Sequence, residues 1–206
     1  MIRVEDRAGG TLRLITLDRP AKANALTAEM LGALCAAVEG AAPARALVLT
    51  GAGRVFSAGA DLDAARTGLA LSPLWERLSG SIAAFPGLTV AALNGTVAGG
   101  ALGMVLACDL RIAVPGARAF YPVMRLGLLP QPSDPGRLAA LVGPARARLI
   151  LMAGARASAD EALAWGLFDR IVPPETLLDE AAALTADARA ADPAHAAAIA
   201  AMLPRR

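Results

Sequence analysis

A chain of 206 residues is enough for one domain, or for one domain with a small appendage. With 56% hydrophobic and 18% charged residues it can bury a large core, which excludes an intrinsically disordered chain; at 3% aromatics, that core must be built from Ala, Leu and Val. The net charge of +2 is spread along the chain without a basic tract, so nucleic acid is not an expected partner.

The opening Met1–Arg7 alternates charged and apolar residues and does not have the form of a signal peptide. Residues 2–7 and 11–17 predict a hairpin around Gly9-Gly10. Helical spacing of Met30, Leu31, Leu34 and Val38 predicts a helix from Thr27, its N-cap, to about Gly40. Ala46–Thr50, closed by Gly51, predicts a buried parallel strand, and Pro73–Phe85 a second helix. Leu88–Leu93 is a further strand, followed by a helix from about Gly99 to Cys108 and another strand at Leu110–Val114. No residue from Ile82 to Cys108 is charged, a length that could cross a bilayer. Pro86, Asn94-Gly95, Gly99-Gly100 and Gly103 break that stretch into shorter elements, so no membrane span is expected.

The last third predicts helices. Ser133-Asp134-Pro135 has the form of a helix cap, Ser158 and Glu161 form a capping box, and an Ala-rich helix is expected from about Pro174. We divide the chain into a core at 1–143 and a helical segment at 144–206. Cys35 and Cys108 sit in apolar surroundings and are expected as small buried hydrophobes in a reducing cytoplasm, without a disulfide or metal. The recurring order of strand, glycine turn and helix predicts an α/β fold with parallel pairing.

Two segments combine glycines with strand ends: Arg54–Leu62 and Asn94–Gly103. Small residues there let a ligand approach the backbone. Two main-chain N–H groups aimed at one oxygen would form an oxyanion hole, each donor contributing ~3 to 4 kcal/mol to a transition state. The bland alternative is that the glycines only make tight turns.

These segments and three others, in order, resemble the crotonase (enoyl-CoA hydratase/isomerase) family. Asp18–Leu26 resembles its N-terminal signature, Phe56–Leu62 its first oxyanion segment, and Asn94–Gly100 with Ala107–Ala113 its second. Arg125–Pro130 and Ala162–Val172 are similar to its later landmarks, so the resemblance covers nearly the whole chain. It implies a Clp-protease-like spiral of ββα units with a short C-terminal helical appendage, binding an acyl-CoA thioester. The N–H groups of Ala58 and Gly100 would hold the thioester oxygen as it becomes an enolate. Lys22, Ala23, Ala25, Ala60, Asp61 and Leu62 would follow the adenine and pantetheine track, and Val97, Gly99, Gly103, Val123 and Gln131 would line the substrate pocket. Coenzyme A enters as part of the substrate, with no permanently bound cofactor and no metal. Lys22, the one lysine among 20 lysines and arginines, suits a CoA phosphate or plain solvent. The resemblance also implies a trimer or a dimer of trimers. Family members run two or three helices past the point where this chain stops, at Leu203–Arg206, so the lid and assembly are expected to differ.

The departures lie at the chemistry. Hydratases of the family carry a glutamate where this chain has Gly103 and another where it has Val123; some relatives have an acid or tyrosine where it has Gln131. Adding water across a C=C bond needs one group to activate water and another to deliver a proton, so two-glutamate hydration is disfavoured. A glutamate restored at 103 is expected to recover weak hydration. Among substitutes, Tyr121 is expected in the core, Asp134 in the helix cap, Asp61 and Asp63 in turns, and His195 on a solvated helix face. Three functions remain open: CoA-enolate chemistry with an unusual proton carrier, decarboxylation of a malonyl-type CoA ester, and acyl-CoA binding without turnover. A serine hydrolase built on Ser57 is a distant fourth, having no partner but His195.

Overall fold

The computed structural model describes residues 1–203; the final Pro204–Arg206 of the sequence lie outside the described residues. The chain opens with an antiparallel hairpin, β1 (Ile2–Arg7) and β2 (Leu12–Leu17), and then α1 (Ala28–Glu39), capped by the Thr27 hydroxyl on the Met30 N–H. One unit then occurs three times. A long strand is followed by a short strand and a helix: β3 (Ala46–Gly51), β4 (Val55–Ser57) and α2 (Leu62–Arg66), with α3 (Leu74–Ala83) added; β5 (Leu88–Leu93), β6 (Thr96–Ala98) and α4 (Ala101–Leu106); β7 (Leu110–Ala113), β8 (Arg118–Phe120) and α5 (Val123–Leu126), with α6 (Asp134–Val142) and α7 (Pro144–Leu151) added. The chain finishes with β9 (Ala157–Ser158), α8 (Ala159–Ala164), β10 (Arg170–Ile171), α9 (Leu177–Leu184), α10 (Ala186–Ala190) and α11 (Pro193–Met202).

The long strands form one six-stranded sheet in the order β1-β2-β3-β5-β7-β10, parallel except for the β1–β2 pair. The short strands form a second sheet, β4-β6-β8-β9, whose first three strands are parallel. Each turn of the chain therefore adds one strand to each sheet, which is a spiral of ββα units. The central strands of the larger sheet are covered on both faces, and Ala46–Thr50 and Val90–Leu93 are buried along their whole length, as their unbroken apolar runs require.

The segment after residue 143 is mostly helical, and its two short strands lengthen both sheets. Its expected Ala-rich helix is three helices. Asp192 accepts the N–H groups of Ala194 and His195 while Pro193 opens α11, and a proline there cannot continue the helix before it. Arg111 ties this segment to the core. It is fully buried on β7, donates to the carbonyls of Leu167, Cys108 and Asp109, and pairs with Asp169 at 2.8 Å. Breaking such a buried set from one side typically costs about 3 to 5 kcal/mol, because the groups left behind cannot reach water. Cys35 and Cys108 are free and buried, and burial pushes the Cys108 thiol up to about 12. Among the described residues no helix is long and apolar enough to cross a membrane.

Candidate functional site

The loop that follows β2 is held in a costly conformation. Ala23 and Asn24 both take left-handed backbone angles, with φ of 49° and 53°, which a residue with a Cβ keeps only when its surroundings fix it. Asn24 supplies the fixing. Its fully buried side chain accepts the Arg19 N–H and donates to the carbonyls of Ala52 and Val55, at 2.8 to 2.9 Å. Its own carbonyl accepts the Ser57 hydroxyl at 2.8 Å. Arg19 then reaches Asp61 at 2.7 Å. Asp61 also caps α2 by accepting the N–H groups of Asp63 and Ala64. The Arg19 guanidinium holds the Asp61 carboxyl below the usual range, so both ends of this pair are structural.

The two glycine-bearing segments meet across β4 and β6. Gly59 has φ of 93°, and a Cβ added to it would lie 2.7 Å from the Ala98 carbonyl and 3.4 Å from Gly99 Cα. Only glycine permits that approach. The next residues along the two segments are Ala60 and Gly100. Ala60 forms a parallel bridge with Leu26, in which the Leu26 N–H donates to the Gly59 carbonyl and the Asp61 N–H donates to the Leu26 carbonyl. The Ala60 N–H lies between those two bonds and points to the opposite side. Neither it nor the Gly100 N–H has an acceptor among the described residues. Ala58 differs from the expectation: its N–H donates to the Ala23 carbonyl at 2.9 Å and is not available to a ligand. The left-handed turn at Ala23 aims that carbonyl at it. The amide left without an acceptor on this segment is thus that of Ala60, two residues later.

Ala60 and Gly100 both line a cavity of about 580 Å³. Of the residues expected at the site, Ala23, Ala58, Ala60, Leu62, Gly99, Gly100, Val123 and Gln131 line it. Lys22 is exposed on a 3-10 turn away from the lining, and Ala25 and Asp61 also fall outside it. Val97 and Gly103 are fully buried behind the wall. Trp75, which is not among the residues expected at the site, stands against Gly100: a Cβ there would lie 3.2 Å from the indole ring, whose N–H donates to the Leu69 carbonyl. Arg118, Arg125 and Arg156 also line the cavity, Arg156 stacked 4.6 Å from the centre of the Phe120 ring. A second hollow of about 410 Å³ shares Phe120, Pro122, Arg125 and Arg156 with the first.

Tyr121 is in the core as expected and also lines the cavity, whereas Asp134 departs from its expected role as a helix cap. Tyr121 is buried, but it lies just past the end of β8, so strand alternation does not turn it away from the cavity, which it lines. Its hydroxyl donates to Asp134 Oδ2 at 2.9 Å and accepts the Gln131 N–H at 3.4 Å. Asp134 opens α6, yet its side chain makes no capping bond; it turns inward and is 1% exposed. A Cβ added to Gly103 would lie 2.7 Å from Asp134 Oδ1 and 3.0 Å from Oδ2, so the carboxylate fills the space that a side chain at 103 would enter. A glutamate restored at 103 would require the Asp134 side chain to shift. Asp134 Oδ1 has no hydrogen-bond partner among the described residues. Burial pushes the Asp134 carboxyl up to about 6, with Glu76 adding to the rise and Tyr121 and Arg137 opposing it; burial and the Asp134 charge raise the Tyr121 hydroxyl.

Elsewhere the remaining candidates are structural. Ser57 is fully buried and its hydroxyl is spent on Asn24, which removes the hydrolase reading. His195 is exposed on α11, and Asp63 is exposed beside Arg66. Among the described residues no cluster of three metal-ligating side chains occurs.

Residues 7–206 match the family model for enoyl-CoA hydratase/isomerase. A probable enoyl-CoA hydratase of Rhodobacter capsulatus is 40% identical over 178 residues, covering 84% of this chain and 68% of that protein. A carnitinyl-CoA dehydratase of Salmonella arizonae is 37% identical over 185 residues, covering 84% and 69%. The crystal structure of an enoyl-CoA hydratase/isomerase from Pseudoalteromonas atlantica superposes with a TM-score of 0.89 at 29% identity, covering 98% of this chain and 81% of that one.

The burial of Asp134 sets a pH dependence with a definite sign. Its folded-state value near 6 lies above the ordinary 3.8, so folding takes up a proton between those values. Its favourable contribution is complete below that ordinary value and is lost as pH rises through about 6. The Tm of the protein relative to Asp134→Asn is therefore highest at acid pH and falls on going to neutral pH. A gap that stays constant across this range would contradict the buried carboxylate.

Proposed function

The chain belongs to the enoyl-CoA hydratase/isomerase family, and on that premise we propose that it binds an acyl-CoA thioester with the carbonyl oxygen between the N–H groups of Ala60 and Gly100. The observation that carries this reading is the pair of unclaimed amides in neighbouring segments of one cavity wall. A thioester carbonyl gains negative charge when its α-carbon loses a proton or a carboxyl group. Donors already aimed at that oxygen stabilise the enolate without reorganising. The apolar wall from Ala23, Ala58 and Leu62 suits pantetheine, and the lining arginines suit an anionic ligand.

Water addition by two glutamates is not part of the proposal, since positions 103 and 123 are a glycine and a valine. A malonyl-type ester is the second reading. Arg125 and Arg156 line the cavity without an ion-pair partner among the described residues, and either could receive a substrate carboxylate before it departs as CO2. Tight binding of CoA esters without turnover would leave a binding protein.

Self-association, as a trimer or a dimer of trimers, is also proposed. Leu62, Leu126 and Leu129 line the cavity mouth and are 69%, 54% and 85% exposed, an apolar rim that another copy would cover. Sedimentation velocity at micromolar protein should give a trimer or larger; a monomer would refute this part.

The amide assignment is tested with crotonyl-CoA and malonyl-CoA, following product masses. Gly100→Pro removes the N–H at a φ of −58° that proline accepts, while Gly100→Ala adds the same Cβ against Trp75 and keeps the N–H. The proline variant should fall roughly 10²-fold or more below the alanine variant in kcat/KM. Equal turnover by the two would refute the assignment.

A further inference from the structure

We propose that the acidic group missing from position 103 is supplied from another helix: Asp134, acting through the Tyr121 hydroxyl, delivers a proton to the α-carbon of the bound thioester and takes it back. This rests on the enolate reading above and adds its proton carrier.

The case begins with space. Gly103 lies on α4, three residues past the Gly100 donor, and its Cβ position falls within contact of both Asp134 oxygens. A side chain at 103 and the Asp134 carboxylate in its observed position would compete for the same space, so the glycine on α4 leaves room for the aspartate on α6. The inward turn of Asp134 is not explained by capping, because it makes no capping bond. Nor does a purely structural polar contact explain it. One oxygen bonds Tyr121, while the other is buried without a partner, a costly arrangement for a charge and a cheap one for a protonated acid.

The groups facing Asp134 keep it close to that change of state. Glu76 comes from α3, its Oε1 accepting from the Ser133 N–H and hydroxyl just ahead of α6. Arg137 comes from α6 itself, and Tyr121 from the loop after β8. Glu76 disfavours the carboxylate, and Arg137 and Tyr121 favour it. With a value near 6, the group is available in both forms close to neutrality, which is what an acid–base group requires.

Tyr121 connects Asp134 to the ligand. It lines the same cavity as Ala60 and Gly100, and a hydroxyl can accept one hydrogen bond while donating another. With Asp134 protonated, Asp134 donates to the Tyr121 oxygen and the tyrosine O–H is free to face the cavity. When the enolate is quenched, the new Cα–H bond forms as the tyrosine O–H breaks. The tyrosine O–H is restored as the Asp134 O–H breaks, and the negative charge of the enolate ends on the carboxylate. The reverse sequence removes an α-proton. Tyr121 is the catalytic residue in this scheme, and Asp134 the positioning residue that stores the proton. One relay on one side of the substrate suits proton exchange, isomerisation or quenching of a decarboxylated enolate. It does not suit water addition, which needs a second group.

The test uses butyryl-CoA as probe and α-hydrogen exchange in D2O, read by mass. The intact protein should exchange faster than buffer, with a pH–rate break near 6. Tyr121→Phe and Asp134→Asn should each lower the rate by roughly 10²-fold or more, Asp134→Asn should lose the break, and butyryl-CoA Kd should stay within about threefold. Tyr121 is the only tyrosine in the chain, so its ring carbon resonance reports Asp134 in the intact protein even if a variant fails to fold; it should titrate near pH 6. The relay is overturned by exchange no faster than buffer, by near-normal exchange in either folded variant, by a break that survives Asp134→Asn, or by a silent tyrosine. If Tyr121→Phe stops exchange while Gly100→Pro matches Gly100→Ala, the relay stands and the amide assignment fails instead.

Discussion

The contact of Gly59 with Ala98 and Gly99 governs the site. Two successive turns of the spiral approach until their backbones touch, and a single methyl at 59 would overlap the Ala98 carbonyl. Everything downstream depends on that approach. It brings the segments that carry Ala60 and Gly100 into the lining of one cavity, with Trp75 packed against Gly100. The two parallel sheets serve to hold these turns in register, since β4 and β6 are too short to do so alone.

A polar brace keeps the first turn in place. Asn24 uses both ends of its side chain and its own carbonyl to hold Arg19, Ala52, Val55 and Ser57, and Ala23 takes the Ala58 amide. This brace explains both the left-handed pair at 23–24 and the loss of Ala58 as a donor. Full satisfaction of buried polar groups is the rule here, and it gives the exception at Asp134 its meaning. The brace is built for rigidity, whereas the Asp134 carboxylate is left half-bonded beside a cavity.

The repeating strand–turn–helix order was legible because parallel strands buried on both faces leave unbroken apolar runs such as Ala46–Leu49 and Val90–Leu93. The family was legible from the order of five segments. The free amide of the first segment was not, since Ala58 and Ala60 are both small residues beside Gly59. Which amide is free is decided by the bridge to Leu26 and by the Ala23 turn, both contacts with a loop some 35 residues upstream. Asp134 was hidden for a different reason. Ser-Asp-Pro has the composition of a helix cap whether the aspartate points along the helix or into the core. The Asp134 side chain ends against Gly103, on a separate helix. A glycine where a larger side chain is expected was the available signal, and its partner could not be found without a third dimension.

The central claim is that the amides of Ala60 and Gly100 grip one thioester oxygen. The most direct measurement is the infrared carbonyl stretch of butyryl-CoA, isotopically labelled at the thioester carbonyl, free and bound. Two donors on the oxygen weaken the C=O bond, so the band should move to lower frequency on binding than in water, and Gly100→Pro should bring it part of the way back. A bound carbonyl that absorbs at its free frequency or higher would contradict the account.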